Sequence, residues 1–143
     1  MAGRRGRVGA LVLDAEGLTE LANGSSLALS LVKDAYESRA PIVTAASTLT
    51  EVLRGVPRDA RVHRVLTGIN VSPIDKSCAR LAGELLGRTG LTGHRCALDA
   101  LVAVVALAQP RPVVLLTSDT DDMARLTEEP DIPRRDRITV VRV

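Results

Sequence analysis

Two short stretches constrain most of what this chain can fold into. GALVL (9–13) and PVVLL (112–116) are apolar at every position, without the polar alternation of a strand that faces water on one side. Runs this short and this uniformly apolar fit strands covered on both faces, as in a parallel sheet with helices packed above and below it. Each run leads into an acid: Asp14 follows the first directly, and Asp119 follows the second after Thr117 and Ser118.

The remaining segments alternate around these two. A short helix is expected over 16–23, closed by Asn23-Gly24. A second runs from a Ser25 or Ser26 cap to about residue 38, with Leu27, Leu31 and Ala35 at helical spacing. PIVTAAS (41–47) reads as a strand, TLTEVLRG (48–55) as a helix stopped by Gly55, and PRDARVHRVLTG (57–68) as a helix with Val62, Val65 and Leu66 on one side. A short strand over 69–74 precedes an amphipathic helix over 76–86, whose buried stripe is Cys78, Leu81, Ala82 and Leu85. GRTGLTG (87–93) reads as a loop. CALDALVAVVALAQ (96–109) is apolar nearly all round, the pattern of a central helix packed on several sides, and ends before Pro110 and Pro112. A helix over DDMARLTEE (121–129) and a final strand ITVVRV (138–143) follow the second apolar run. Strands alternating with helices predict an α/β fold, a three-layer domain with a mainly parallel central sheet flanked by helices. One domain over 1–143 is expected, residues 1–7 (MAGRRGR) forming a flexible basic N-terminus.

Composition narrows the function classes. The longest uncharged apolar stretch, 100–108, is about half of what a bilayer span requires. Arg4, Arg5 and Arg7 precede only the apolar residues 8–13, unlike a signal peptide, so a cytoplasmic location is expected. Cys78 and Cys96 are the only cysteines and lack CxxC spacing, which argues against a zinc site or disulfide framework and makes both small buried hydrophobes. The net charge of +2 is mild. All basic residues except Lys33 and Lys76 are arginine, which suits bidentate phosphate contact, although a GC-rich coding sequence gives the same bias. Tyr36 is the only aromatic residue, so platforms for stacking bases cannot be built, and any nucleic acid must be held by charge.

In open parallel sheets, ligands bind at the carboxyl ends of the strands, where Asp14 and Asp119 fall. An acid at the low-dielectric edge of a core needs a partner, and a hard divalent cation is one. Mg2+ takes one or two carboxylates plus waters, and nucleases use it to activate water and stabilise the departing oxygen of a phosphodiester. Each acid also has a purely structural reading. Asp14 can cap the helix after it, Glu51 can complete a Thr48-x-x-Glu51 capping box, and Asp99 can serve a helix dipole. Asp119, Asp121 and Asp122 lie where a helix begins, but three acids in four residues exceed what capping requires.

LVLDAEGL, TLTEVLRG, LDALVAVVA and LLTSDTDD, in this order and at these separations, resemble the PIN-domain family, nearest to the toxins of bacterial VapBC toxin–antitoxin pairs. The resemblance runs from residue 8 to the final strand. It implies that Asp14, Glu51, Asp99 and Asp119 are the catalytic acids and hold Mg2+ or Mn2+, and that Thr117, in a T-x-D element, orients an acidic ligand. Asp122 would assist with a second metal or water, and Met123 stands where many relatives have Phe. The implied activity is that of a metal-dependent endoribonuclease hydrolysing RNA phosphodiesters, the toxin of a type II toxin–antitoxin system. It would form a homodimer through the early helices, and an antitoxin would cover its acidic groove. The general base and the number of metals stay open.

Other features carry less. Arg54, close after Glu51, is a candidate phosphate contact, against the reading of a solvated helix face. His63 and His94 lack partners at metal-ligand spacing, and Ser47, Ser72 and Ser118 lack the setting of a hydrolase nucleophile. A nucleotide-binding α/β enzyme would need a glycine-rich loop after a strand, yet Gly3, Gly6 and Gly9 precede the first one. A phosphorelay receiver domain would need a lysine at the end of a late strand, which is absent. The rival from another class is a catalytically idle PIN-fold module that binds RNA or a partner protein; the presence of all four acids argues against it.

Overall fold

The two apolar runs lie side by side at the centre of the sheet. In a computed structural model, which describes residues 6–143, they form β1 (Ala10–Leu13) and β4 (Val113–Thr117), with Leu11 opposite Val114 and Leu13 opposite Leu116. β2 (Ile42–Ala45) pairs with the other edge of β1, β3 (Asn70–Ser72) with β2, and β5 (Thr139–Arg142) with β4. The order is β3-β2-β1-β4-β5 and every pairing is parallel, as the predicted α/β architecture requires. The chain builds outward from β1 on one side and then crosses to β4 on the other. The β1–β4 boundary is therefore the topological switch point, and ligands of such sheets bind at the carboxyl ends of the strands there.

Side chains of β1 alternate between two cores. Ala10 and Val12 face α5 (Lys76–Thr89), α6 (Gly93–Leu107) and α7 (Thr120–Leu126), meeting Ala82, Ala103, Val105 and Met123. Leu11 and Leu13 face α1 (Ala15–Ala22), α2 (Ser26–Glu37) and α4 (Ala60–Leu66), meeting Leu18, Ala28, Ala35 and Val62. Each fully buried Leu or Val adds about 1.5–3 kcal/mol of transfer free energy, and this double coverage explains why the central strands need no polar face.

Several expected details differ. Leu27 is 40% exposed, and α2 instead buries Ala28 and Ala35, flanked by Leu31 and Val32. Leu81 is likewise exposed, leaving Cys78, Ala82 and Leu85 as the stripe of α5. The stretch 87–93 is not a loop throughout: α5 continues through Gly87 to Thr89, Gly90 ends it at φ +70°, and α6 starts at Gly93. α3 (Thr48–Val52) stops before Gly55, and a 3-10 turn at Pro57–Asp59 leads into α4. Residues 1–5 of the predicted basic N-terminus lie outside the described residues. Cys78 and Cys96 are buried and unbonded to each other, as expected. No single helix among the described residues is long and apolar enough to cross a membrane.

Candidate functional site

Asp14 emerges directly from β1 and is 6% exposed. Its Oδ1 accepts the Gly17 N–H at 2.8 Å, which caps α1, and its Oδ2 accepts the Thr117 hydroxyl. The capping role expected of Asp14 is therefore present, and Asp14 is not among the acids of the tight cluster of Asp99, Asp119 and Asp122. Thr117 is fully buried at the end of β4, and its Oγ1 also accepts the Asp119 N–H at 3.0 Å. One hydroxyl thus joins the carboxyl ends of β1 and β4. α1 can sit this close because residue 17 is glycine: a Cβ there would meet the Leu116 carbonyl oxygen at 2.6 Å. Burial raises the Asp14 carboxyl above its ordinary range, against the bonds from Gly17 and Thr117, which lower it.

Across the switch point, Asp99 from α6 meets Asp119 and Asp122 from the start of α7, one carboxylate oxygen of each lying within 4.8 Å of the others. Asp99 is not in the first turn of its helix, because α6 begins at Gly93, so the dipole reading of that acid does not hold. Asp119 occupies the N-cap position of α7 but makes no capping bond through its side chain. Partial burial lifts the Asp99 carboxyl from 3.8 to about 7, aided by the charges of Asp119 and Asp14, a hydrogen bond with Asp119, and Glu51.

Glu51 stands at the edge of this group. It lies on α3, is exposed, and is absent from the tight cluster. Partial burial raises its carboxyl, followed by the charges of Asp14 and Glu16, while Arg54 lowers it. The capping box proposed for it does not form: the N-cap of α3 is Ser47, without a side-chain bond, and the buried Thr48 Oγ1 has no hydrogen-bond partner among the described residues. Asp122, expected to assist with a second metal or water, lies inside the cluster.

The other candidates sort themselves by their partners. The Arg54 guanidinium donates to the Thr50 and Leu53 carbonyls at 3.0 and 2.7 Å, so it closes the end of α3. Asp59 accepts the N–H groups of Arg54, Gly55 and Val56 at 2.9, 2.8 and 3.4 Å, which holds the turn after α3 and lowers its carboxyl. His63 and His94 are exposed, and neither joins the one His/Cys/Asp/Glu cluster with metal-holding geometry among the described residues.

Three residues escaped the sequence reading. Glu16 adds charge beside Asp14 and Glu51. The buried Cys96 places its Sγ 3.7 Å from Asp122 Oδ2; its three-residue spacing from Asp99 on one helix was the available signal. Burial, then Asp122, raises this thiol, so it keeps its proton at neutral pH. Arg142, opposite Thr117 in the β4–β5 register, donates to the Ser118 carbonyl at 3.3 Å and to Thr120 Oγ1 at 2.6 Å. Nothing local in the sequence marks it.

Three carboxylates this close, with two more acids coupled to them, repel one another unless protons or a cation intervene. An all-oxygen donor set, with Asp99 and Asp122 partly buried and Asp119 exposed, suits a hard divalent ion, so the residues present fit Mg2+ or Mn2+.

Residues 11–129 match the family model described as PIN domain. No curated protein sequence matches the chain. Among solved structures it is similar to VapBC2 from Rickettsia felis bound to a promoter DNA fragment, with 16% identity over 94% of this chain and 98% of that one and a TM-score of 0.66. A toxin–antitoxin complex from Klebsiella pneumoniae is 25% identical over 80% of this chain and 90% of that one, with a TM-score of 0.56. VapBC-5 from Mycobacterium tuberculosis is 20% identical over 94% and 99%, with a TM-score of 0.52.

Proposed function

This chain belongs to the PIN-domain family, and from that premise we propose that it is a metal-dependent endoribonuclease, the toxin of a type II toxin–antitoxin pair. The observation that carries the reading is the convergence of Asp99, Asp119 and Asp122 within 4.8 Å, with Asp14 and Glu51 coupled to them by charge. In this reading Asp14, Glu51, Asp99 and Asp119 hold Mg2+ or Mn2+, joined by Asp122. The bound cation would activate water and offset charge on the departing oxygen of the phosphodiester. Thr117 fixes the Asp14 carboxylate and the loop that bears Asp119. Asp99, about half-ionised at pH 7, would have to be fully deprotonated to hold a cation. Arg142, exposed at the end of β5 and hydrogen-bonded to that loop, is suited to hold an RNA phosphate.

The toxin assignment draws on the Klebsiella pneumoniae toxin–antitoxin complex, 25% identical to this chain. An antitoxin covering the acidic groove, a homodimer, a cytoplasmic location and a single domain belong to the same proposal.

Its test is cleavage of a mixed single-stranded RNA by purified protein with Mg2+ or Mn2+, beside EDTA controls and an Asp14→Asn, Asp99→Asn double variant. Metal-dependent cleavage that the variant lacks is expected. No cleavage by either protein, with equal metal binding by calorimetry, would return the acids to capping and structural roles.

A further inference from the structure

We propose that Cys96 is a positioning residue for the acidic cluster: its thiol donates the hydrogen bond that retains the Asp122 carboxylate beside Asp99 and Asp119. The inference rests on the metal-centre reading above and names a part of that site outside its carboxylates.

Cys96 and Asp99 are one helical turn apart on α6 and share a face. Asp99 reaches the cluster itself, whereas Cys96 reaches one of its members, Sγ lying 3.7 Å from Asp122 Oδ2. Cys96 is 3% exposed, so its thiol is shielded from water. Asp122 is only half-buried, beside two other carboxyl groups whose ionised forms would press it toward solvent. Among the described residues no other hydrogen-bond donor reaches that carboxylate. A thiol is a weak donor, but a carboxyl oxygen is among the better acceptors it can meet. The bland alternative is that Cys96 fills core space and its contact with Asp122 is incidental.

Two readouts separate these readings. The first is Mn2+ affinity of the full chain by calorimetry, with urea midpoints confirming that each variant folds. Cys96→Ala should weaken Mn2+ binding about 3- to 10-fold, near the low end of losses seen when a metal ligand's supporting partner is removed. Cys96→Ser, which restores a donor, should recover most of that loss. Wild-type affinity in Cys96→Ala, or equal losses in two folded variants, would overturn the proposal. The second readout needs no metal. In a Cys78→Ala background, the infrared S–H stretch of Cys96 should lie at lower wavenumber with Asp122 present than in Asp122→Ala. An unchanged stretch would show that the thiol donates nothing to Asp122. Wild-type protein that binds no Mn2+ yet shows the stretch difference would sink the metal-centre reading while leaving the positioning bond in place.

Discussion

Replacing Asp99 by Asn should stabilise the metal-free protein at pH 8, although it removes a proposed ligand. The folded chain holds this carboxyl at about 7 against an ordinary 3.8. Because the folded value is the higher one, the folded state binds its proton more tightly. Stability is therefore greatest, as far as this group is concerned, at low pH, falls as pH rises from about 4 to 7, and levels off above 7 with the full penalty in force. The whole displacement corresponds to about 4 kcal/mol. Asp99 is only half-buried, and solvent screening reduces the penalty to about 1–2 kcal/mol. Asn mimics the protonated form and escapes it, which for a chain of this size raises Tm by about 3–8 °C. Thermal unfolding in EDTA at pH 8 and pH 5 is the assay, with a larger gain at pH 8. Saturating Mn2+ should then invert the order, since a ligand at 100 times its Kd adds about 2.7 kcal/mol to a protein that binds it. An Asn variant less stable than wild type at pH 8, or a difference independent of pH, would refute the idea that these acids crowd one another at a cost.

Thr117→Val keeps the side-chain shape but removes the donor to Asp14 and the acceptor for the Asp119 N–H, so urea unfolding should register a loss of about 2–3 kcal/mol, largely restored in Thr117→Ser; a loss under about 0.5 kcal/mol would contradict the bridging role. Gly17→Ala gains about 1 kcal/mol of helix propensity but drives a Cβ to 2.6 Å from a backbone oxygen that cannot yield. Equilibrium unfolding should show a net loss of about 1–3 kcal/mol, and a net gain would mean α1 is free to shift. Asp59 has the opposite titration sign to Asp99. Its lowered carboxyl supports the fold above the ordinary carboxylate range and loses that support as pH falls through its depressed value, so the Tm gap between wild type and Asp59→Asn should shrink between pH 7 and pH 3; a constant gap would show that charge is irrelevant there.

The parts of the structure legible in advance were those set by local physics. A stretch such as LVL before Asp14 has one stable environment, a strand covered on both faces, so β1 and β4 and the acids at their ends follow directly. Helix faces were less determinate, because Leu27 and Ala28, or Leu81 and Ala82, lie on adjacent stripes and packing chooses between them. The glycines at 87, 90 and 93 all resemble stops, yet only Gly90 adopts the left-handed conformation that ends a helix. At the site, Asp122 and Cys96 meet across 26 residues of sequence and Arg142 reaches its loop only through β4–β5 pairing, contacts that no local pattern encodes.

The hydrogen bond between Thr117 and Asp14 spans 103 residues, and two of the clustered acids, Asp119 and Asp122, lie beyond it toward the C-terminus. During synthesis, then, the emerging chain displays Asp14, Glu51 and finally Asp99 without the strand that gathers them. The β1–β4 pairing forms only after residues 113–117 have left the ribosome, and non-local parallel pairing is slow to close. The acidic cluster therefore cannot assemble on a nascent chain until residue 122 has been made, so any activity that depends on it is withheld until then.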